Sequence, residues 1–112
     1  MQIEPKINEI MLSHNIPFAI VVDAAGVKKE IGNDGLLDEP SFPGTLFYDA
    51  SAISDMRNYL ESNIQPRILT QGKVKSIIGI VSDTIYALFL NTNEDVLSHY
   101  EFAKKIHNEV KT

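Results

Sequence analysis

The chain of 112 residues has the size of one domain, expected over residues 1–112, and its 44% hydrophobic and 22% charged residues are typical of a globular protein. The absence of cysteine excludes disulfides, thiolate metal sites and cysteine nucleophiles, and it fits the cytoplasm, where we expect the protein to act. Ten basic residues against fifteen acidic ones give a net charge of −5, and the scattered cations argue against nucleic acid as a partner. No apolar run approaches the ~20 residues that span a bilayer, so no membrane partner is expected.

The first part of the chain predicts a helix and a β-hairpin. Apolar residues recur at helical spacing before Pro17, and they are Ile3, Ile7, Ile10 and Met11. The apolar and β-branched run at residues 18–23 predicts a strand that is buried on both faces. Gly26 favours a tight turn, because glycine adopts a positive φ at little cost. The polar sequence VKKEIG, residues 27–32, then predicts a second strand at a sheet edge.

A long irregular segment, NDGLLDEPSFPGTLFY, follows at residues 33–48. Loops longer than ~12 residues are uncommon in compact domains and are usually functional or disordered. We therefore expect residues 33–44 to be the most mobile internal segment. Its apolar residues Leu36, Leu37 and Phe42 predict a partner-contacting loop that lies loosely over one sheet edge.

The second half predicts a helix, three strands and a last helix. Asp49 or Ser51 is a suitable N-cap for the first of these helices, whose apolar stripe is formed by Ile53, Met56, Leu60 and Ile64. Strands are predicted at residues 67–71, 74–81 and 85–90, and Asn93 is a suitable N-cap for the last helix. The buried face of that helix is predicted to be Val96, Leu97, Tyr100, Ala103, Ile106 and Val110. We therefore expect an α/β fold of the α+β type, with a central, mostly antiparallel five-stranded sheet and helices on both of its faces. The strands at residues 18–23 and 85–90 are expected at the centre of the sheet, and those at residues 27–32 and 67–71 at its edges.

The titratable residues do not form a recognisable reaction or metal site. His14 and His107 lie near helix ends and are predicted to cap the helix or complement its dipole. Asp95 and His99 are four residues apart, but one such pair is half a metal site, and a solvated ion pair is the expected arrangement. The acidic residues Asp34, Asp38 and Glu39 lack the spacing of a calcium loop.

Glycine and serine motifs are equally unspecific. The sequence GNDG at residues 32–35 does not lead directly into a helix, as a phosphate-binding loop would. Ser41, Ser51, Ser54 and Ser76 lie in no recognisable nucleophile motif. Gly79, within a predicted strand, indicates either a bulge or a close backbone approach, and a bulge is the commoner explanation. We expect no catalytic residues, no cofactor, no metal and no enzyme activity.

The two predicted edge strands differ in how well they are protected. Charged residues protect the edge at 27–32, whereas the strand at 67–71 carries only Arg67 and a flanking Pro66. We expect this strand and the preceding helix to pair with a second copy around a twofold axis. The predicted dimer interface is Met56, Tyr59, Leu60, Arg67, Ile68, Leu69, Thr70 and Gln71.

The order of predicted elements, with IPFAIVVDAAGV leading into the first hairpin and VKSIIGIVSDTIYALFLNTNEDV leading into the last helix, resembles the roadblock/dynein light chain family. The resemblance covers most of the chain, and residues 33–48 look like an insertion relative to it. It implies a non-enzymatic homodimer that binds or regulates protein partners, such as motor components or a small Ras-like GTPase. Two alternatives stay open from the sequence: a small-molecule sensor of profilin or photosensor type with a cavity under residues 33–48, and an accessory or inhibitor subunit of an enzyme.

Overall fold

The computed structural model describes residues 3–91 and 96–112 of the chain. Four α-helices lie within these residues: α1 (Glu4–His14), α2 (Phe42–Leu46), α3 (Ala50–Glu61) and α4 (Val96–Lys111). The strands of the sheet are β1 (Phe18–Val22), β2 (Lys28–Gly32), β3 (Arg67–Gln71), β4 (Val74–Val81) and β5 (Thr84–Asn91). The predicted bounds of β3 and β4 are confirmed, and β5 extends by one residue beyond its predicted range at each end.

All five strands form one antiparallel sheet in the order β2-β1-β5-β4-β3. The predicted α+β fold is confirmed, with β1 and β5 inside the sheet and β2 and β3 at its edges. Every residue of β1 is buried, whereas the residues of β2 are exposed or half-buried. The sheet therefore has one charged edge and one edge with little charge.

Helices cover both faces of the sheet, because successive side chains of its inner strands point to opposite sides. The face beneath α1 and α4 buries a cluster that includes Ile7, Ile10, Ala19, Val21, Ile77, Tyr86, Leu88, Ala103, Ile106 and Val110. The face beneath α2 and α3 buries a cluster that includes Phe18, Ile20, Leu37, Phe42, Phe47, Met56, Leu60, Ile78, Ala87 and Phe89. The sheet thus separates α3 from α1 and α4, and the Tyr59 hydroxyl of α3 accepts a hydrogen bond from Arg67 of the edge strand β3.

The ends of α3 and α4 were partly predictable. Asp49 is the N-cap of α3, as expected, because its carboxylate accepts a hydrogen bond from the Ala52 amide at 2.8 Å. The helix ends at Glu61, so Ile64 lies beyond it and is 77% exposed, and its predicted place in the apolar stripe is wrong. In α4 the buried positions Ala103, Ile106 and Val110 are confirmed. Tyr100 is only half-buried, and the predicted cap Asn93 and the side chains of Val96 and Leu97 lie outside the described residues.

Tight turns close the hairpins at one end of the sheet. Gly26 has the expected positive φ, 86°, and the Asp23 carboxylate accepts hydrogen bonds from the Ala25 and Val27 amides in the same turn. Ser82 and Asp83 both have positive φ between β4 and β5, as a type I′ turn requires. The helix α3 is fastened to both turns, since the Arg57 guanidinium donates to the Asp83 carbonyl at 2.8 Å and to the Asp23 carbonyl at 3.0 Å.

Gly79 marks a close approach and not the predicted bulge. The β4–β5 register runs without interruption through the pair of Gly79 and Tyr86. A Cβ atom at Gly79 would lie 2.8 Å from the Tyr86 hydroxyl and 2.9 Å from two atoms of the His107 ring. Glycine is therefore required here because α4 and Tyr86 occupy the space that a side chain would take.

None of the helices in the described residues is long and apolar enough to cross a membrane.

Candidate functional site

An open apolar groove lies between α2, α3 and the edge strand β3. Its volume is about 420 Å³, and its lining is Thr45, Leu46, Ala52, Asp55, Met56, Tyr59 and Leu69. The lining is mostly apolar, with one carboxylate on the α3 side. Three of the predicted interface residues, Met56, Tyr59 and Leu69, thus share one surface feature with the unpaired side of β3.

The residues that line the groove from α2 and the first turns of α3 were missed by sequence reasoning. These are Thr45, Leu46, Ala52 and Asp55. The segment SFPGTLF contains a proline in the first turn of α2, a common helix-start signal, but a helix of five residues is too short to show a periodic pattern. The wall that α2 adds to the groove therefore has only a weak sequence signal.

Arg67 and Tyr59 join β3 to α3 at one end of the groove. The Arg67 Nε donates a hydrogen bond to the Tyr59 hydroxyl at 2.9 Å, and the guanidinium lies 5.7 Å from the centre of the Tyr59 ring. Both contacts hold the guanidinium against the hydroxyl side of Tyr59. They fix the start of β3 against the last turns of α3.

The outer side of β3 carries main-chain groups that β4 does not use. A two-residue turn with Gly72 at positive φ (58°) connects the strands, and Gln71 opposes Val74 across it. In such a hairpin the residues that flank the turn exchange hydrogen bonds, and the pattern alternates from there along the strand. The N–H and C=O groups of Ile68 and Thr70 therefore point away from β4.

The predicted interface set must be corrected at Leu60. This side chain is 0% exposed and belongs to the core between α3 and the sheet, so it offers no surface to a second copy. Met56 is 7% exposed and reaches the groove with one side, and Tyr59 is half-buried. Leu60 is buried because α3 lies over the sheet with the Leu60 face of the helix turned inwards.

The segment at residues 33–49 is packed onto the sheet and is not the loosely placed loop that its sequence predicts. It contains a short 3-10 helix (Asp34–Leu36) as well as α2. Leu37 and Phe42 are each 4% exposed, and the Phe42 ring packs edge-on against Phe89. Of the three predicted contact residues only Leu36, at 61% exposure, can meet a partner.

Hydrogen bonds fasten this segment at both of its ends. The Asn91 amide donates to the Leu36 carbonyl at 2.9 Å, and its oxygen accepts from the Asp38 amide at 2.8 Å. Lys28 Nζ donates to the Phe47 carbonyl at 3.2 Å. Leu37, Phe42 and Phe47 fill the space beneath the segment, where the sensor alternative places its ligand cavity.

His107 lies in the core and does not serve the helix end as predicted. It is 7% exposed, and its Nδ1 lies 2.5 Å from the hydroxyl of Tyr86, which is fully buried. Burial lowers the pKa of His107, and the charge of Lys111 lowers that pKa further. Burial also raises the pKa of Tyr86, so the hydrogen bond joins a neutral phenol to a neutral imidazole, and the imidazole tautomer decides which of them donates.

His14 lies in the last turn of α1, as expected, although it is not the C-cap, whereas the expected position of His99 is wrong. His14 Nε2 lies 3.3 Å from a Glu109 carboxylate oxygen and joins α1 to α4, while Asn15, in the left-handed region, is the C-cap of α1. His99 is 1% exposed and packs near Phe102, so the expected solvated position is wrong; Asp95 lies outside the described residues. Among the described residues no three histidine, aspartate or glutamate side chains are placed to hold a metal ion.

The fold is similar to two solved bacterial structures. MglB from Myxococcus xanthus matches with a TM-score of 0.57 and 15% identity over 97% of this chain and 91% of that chain. The gliding protein MglB from Thermus thermophilus matches with a TM-score of 0.55 and 9% identity over 97% of this chain and 85% of that chain. No protein-family model and no curated protein sequence matches the chain. The likeness supports the roadblock-like fold that the sequence resemblance implies.

Proposed function

We propose, from the roadblock-like fold and the open β3 edge, that this protein is a non-enzymatic regulatory module that forms a homodimer and binds a protein partner. The observation that carries the proposal is an edge strand with free main-chain groups beside an apolar groove. Edge strands are normally covered, charged or interrupted, because their free N–H and C=O groups pair readily with another strand. Within the described part of the chain, β3 has of these protections only the charge of Arg67 and the flanking Pro66.

Pairing of β3 with its own copy satisfies the free groups without a second type of surface. Ile68 and Thr70 point their main-chain groups outwards, so antiparallel pairing around a twofold axis at Leu69 matches Ile68 of one copy with Thr70 of the other. The two five-stranded sheets then become one continuous sheet. Leu69 of each copy comes to lie opposite its counterpart.

The groove supplies the apolar part of the same interface. The exposed apolar surface of Met56, Tyr59 and Leu69 loses water when the groove of one copy meets that of the other. Leu60 no longer belongs to the proposed set, because it is already buried in the core. The proposed interface is therefore Met56, Tyr59, Arg67, Ile68, Leu69, Thr70 and Gln71.

The class of protein partner follows from the roadblock resemblance alone, which points to a small Ras-like GTPase. In this role the protein provides a binding platform and no catalytic group. Leu36 and Tyr48 of segment 33–49 offer exposed apolar surface for such a contact. A GTPase that co-purifies with the native protein supports this role, whereas a bound metabolite supports the sensor alternative.

The dimer is tested by light scattering over a micromolar concentration series with two matched proline variants. Thr70→Pro removes an N–H that points away from β4, so we expect it to fold and to become monomeric. Glu30→Pro is the control at the opposite edge. Because the Asp23 amide donates to the Val27 carbonyl, the alternating pattern also points the Glu30 N–H outwards. This control is expected to remain dimeric.

Two results would contradict the proposal. One is a wild-type protein that stays monomeric throughout the series. The other is a Thr70→Pro variant that remains as dimeric as Glu30→Pro, since the pairing would then not depend on the β3 edge.

A further inference from the structure

Two oppositely charged side chains beside the groove have no ionic partner within the described part of the chain. Asp55 is exposed on the α3 wall of the groove and forms no ion pair there. Arg67 uses its Nε for the bond to Tyr59, and its two terminal nitrogens make no hydrogen bond to the described residues. Each copy thus has one carboxylate in the groove lining, at Asp55, and one guanidinium with two unbonded terminal nitrogens, at Arg67 of the proposed interface.

These two groups lie at opposite ends of the groove. The chain leaves α3 at Glu61 and enters β3 at Arg67, so the last turn of the helix is close to the first residue of the strand. The bond between Tyr59 and Arg67 confirms that proximity. Asp55 precedes Tyr59 by about one helical turn, or roughly 6 Å along the axis. It therefore lies further along β3, towards Gln71.

Twofold symmetry reverses the second strand and brings the two ends together. In the antiparallel register centred on Leu69, both outward-pointing residues of β3 are fully paired, and Arg67 of one copy lies opposite Gln71 of the other. Side chains directly opposite each other in a sheet are about 5 Å apart and lie on the same face. The guanidinium of the second copy consequently reaches the end of the groove at which Asp55 lies.

We propose that Asp55 of each copy forms an intersubunit ion pair with Arg67 of the other copy, so that two symmetric ion pairs close the ends of the joined grooves. This inference rests on the proposed homodimer and adds to it the register and the residues that select it. Any other centre on β3 leaves one outward-pointing residue of the strand opposite Pro66 or Gly72, and it moves Arg67 away from Asp55. The ion pairs therefore specify one register among the possible ones.

The net negative charge of the chain explains why ion pairs that select one register matter for the proposed dimer. Each copy carries a charge of −5, and two such copies repel one another at low ionic strength. Two ion pairs at the contact place attraction where the surfaces meet. Surface ion pairs contribute little to overall affinity, but they discriminate strongly against pairings that bring like charges together.

Charge exchange between two variants tests the proposal. In Asp55→Lys both intersubunit contacts join cations, and in Arg67→Glu both join anions, so we expect each variant alone to dissociate at least about tenfold more readily than the wild type. When the two are mixed, the introduced lysine faces the introduced glutamate at one contact, and the native Asp55 faces the native Arg67 at the other. We expect the mixture to form a heterodimer with an affinity close to that of the wild-type homodimer.

Three controls separate the charge effect from other effects. Glu61→Lys reverses an exposed charge on α3 outside the groove lining and is expected to leave dimerisation nearly unchanged. Tyr59→Phe removes the hydrogen bond to Arg67 and shows what the loss of that contact alone does. Circular dichroism checks that each variant is folded. When tagged Asp55→Lys and untagged Arg67→Glu are mixed in equal amounts, the untagged chain that is recovered with the tagged one measures the heterodimer directly.

The outcomes distinguish this inference from the proposed function. A dimeric wild type with dimeric Asp55→Lys, or a mixture that does not recover pairing, overturns the ion pairs and leaves the homodimer in place. A monomeric wild type overturns both. Recovery in the mixture, with each variant monomeric alone, supports the register centred on Leu69.

Discussion

At the scale of single residues, Gly79, Tyr86 and His107 form a contact that joins α4 to the middle of the sheet. Tyr86 and His107 share a buried hydrogen bond, and Gly79 leaves room for both rings. Burial disfavours the charged imidazolium and lowers the pKa of His107, so protonation of this side chain costs more in the folded protein than in the unfolded chain. The pair therefore makes the packing of α4 dependent on pH.

We expect the free energy of unfolding to fall as the pH is lowered through about 6.5, the usual pKa of histidine. Burial lowers the pKa of His107 in the folded state, so below that pH the unfolded chain binds more protons than the folded one. His107→Asn keeps an acceptor atom at the Nδ1 position but cannot be protonated. Denaturation between about pH 7 and pH 5 should show a shallower loss of stability for this variant than for the wild type.

Equal slopes for the wild type and His107→Asn would refute this explanation. Tyr86→Phe serves as the companion variant, because it removes the hydroxyl and leaves His107 without this hydrogen bond. We expect it to lower stability at neutral pH by about 1–3 kcal/mol, the usual cost of a broken buried hydrogen bond.

The sequence predicted the structural role of only a few single residues. Asp49 and Gly26 were correctly identified, because a helix N-cap and a tight turn depend on neighbours in sequence. The partners of Gly79 and His107 are distant in sequence, and no local pattern indicates them. The same limit applies to the groove, where Asp55 and Leu69 come from different elements.

At the scale of secondary-structure elements, the strands were predictable and segment 33–49 was not. Apolar residues at both odd and even positions of β1 and β5 require cover on both faces, which places these strands inside the sheet. The segment has no such periodicity, and its two short helices are held by Asn91, Lys28 and the buried rings. Its predicted mobility stays a prediction, which hydrogen exchange at residues 33–44 measures.

Alanine substitutions within this segment test how firmly it is packed. We expect Phe42→Ala to lower the free energy of unfolding by about 3–5 kcal/mol, because Phe42 is buried against Phe89. Leu36→Ala, in the same segment, should change it by less than about 0.5 kcal/mol, because Leu36 is 61% exposed. Chemical denaturation of both variants gives the comparison. Similar small effects at both positions would mean that the segment contributes little to the core.

At the scale of the whole molecule, the two sheet edges differ, and we expect this difference to limit the proposed assembly to a dimer. On β2, Lys29 pairs with Glu4 at 3.1 Å and Lys28 donates a hydrogen bond to the Phe47 carbonyl. The charged side chains of this edge are therefore fixed by contacts within the chain. The opposite edge strand β3 has free main-chain groups and the groove. A molecule with one open edge pairs once around a twofold axis and stops, whereas two open edges would permit a growing chain of sheets.

We expect the midpoint of thermal unfolding to rise with protein concentration for the wild type, because dissociation and unfolding are then linked. The Thr70→Pro variant should show a midpoint that is independent of concentration. Calorimetry or circular dichroism at several concentrations measures this. A wild-type midpoint that does not change with concentration would argue against a dimer that is coupled to folding.

Arg57 connects α3 to two hairpin turns at one end of the sheet. Its two terminal nitrogens hold the carbonyls of Asp23 and Asp83, one in each hairpin turn, and a lysine has only one nitrogen with which to replace them. We therefore expect a displacement of α3 at the groove to move both turns together with the helix. We expect a contact at the groove, as in the proposed dimer, to be transmitted through Arg57 to the turns at residues 23–27 and 81–84.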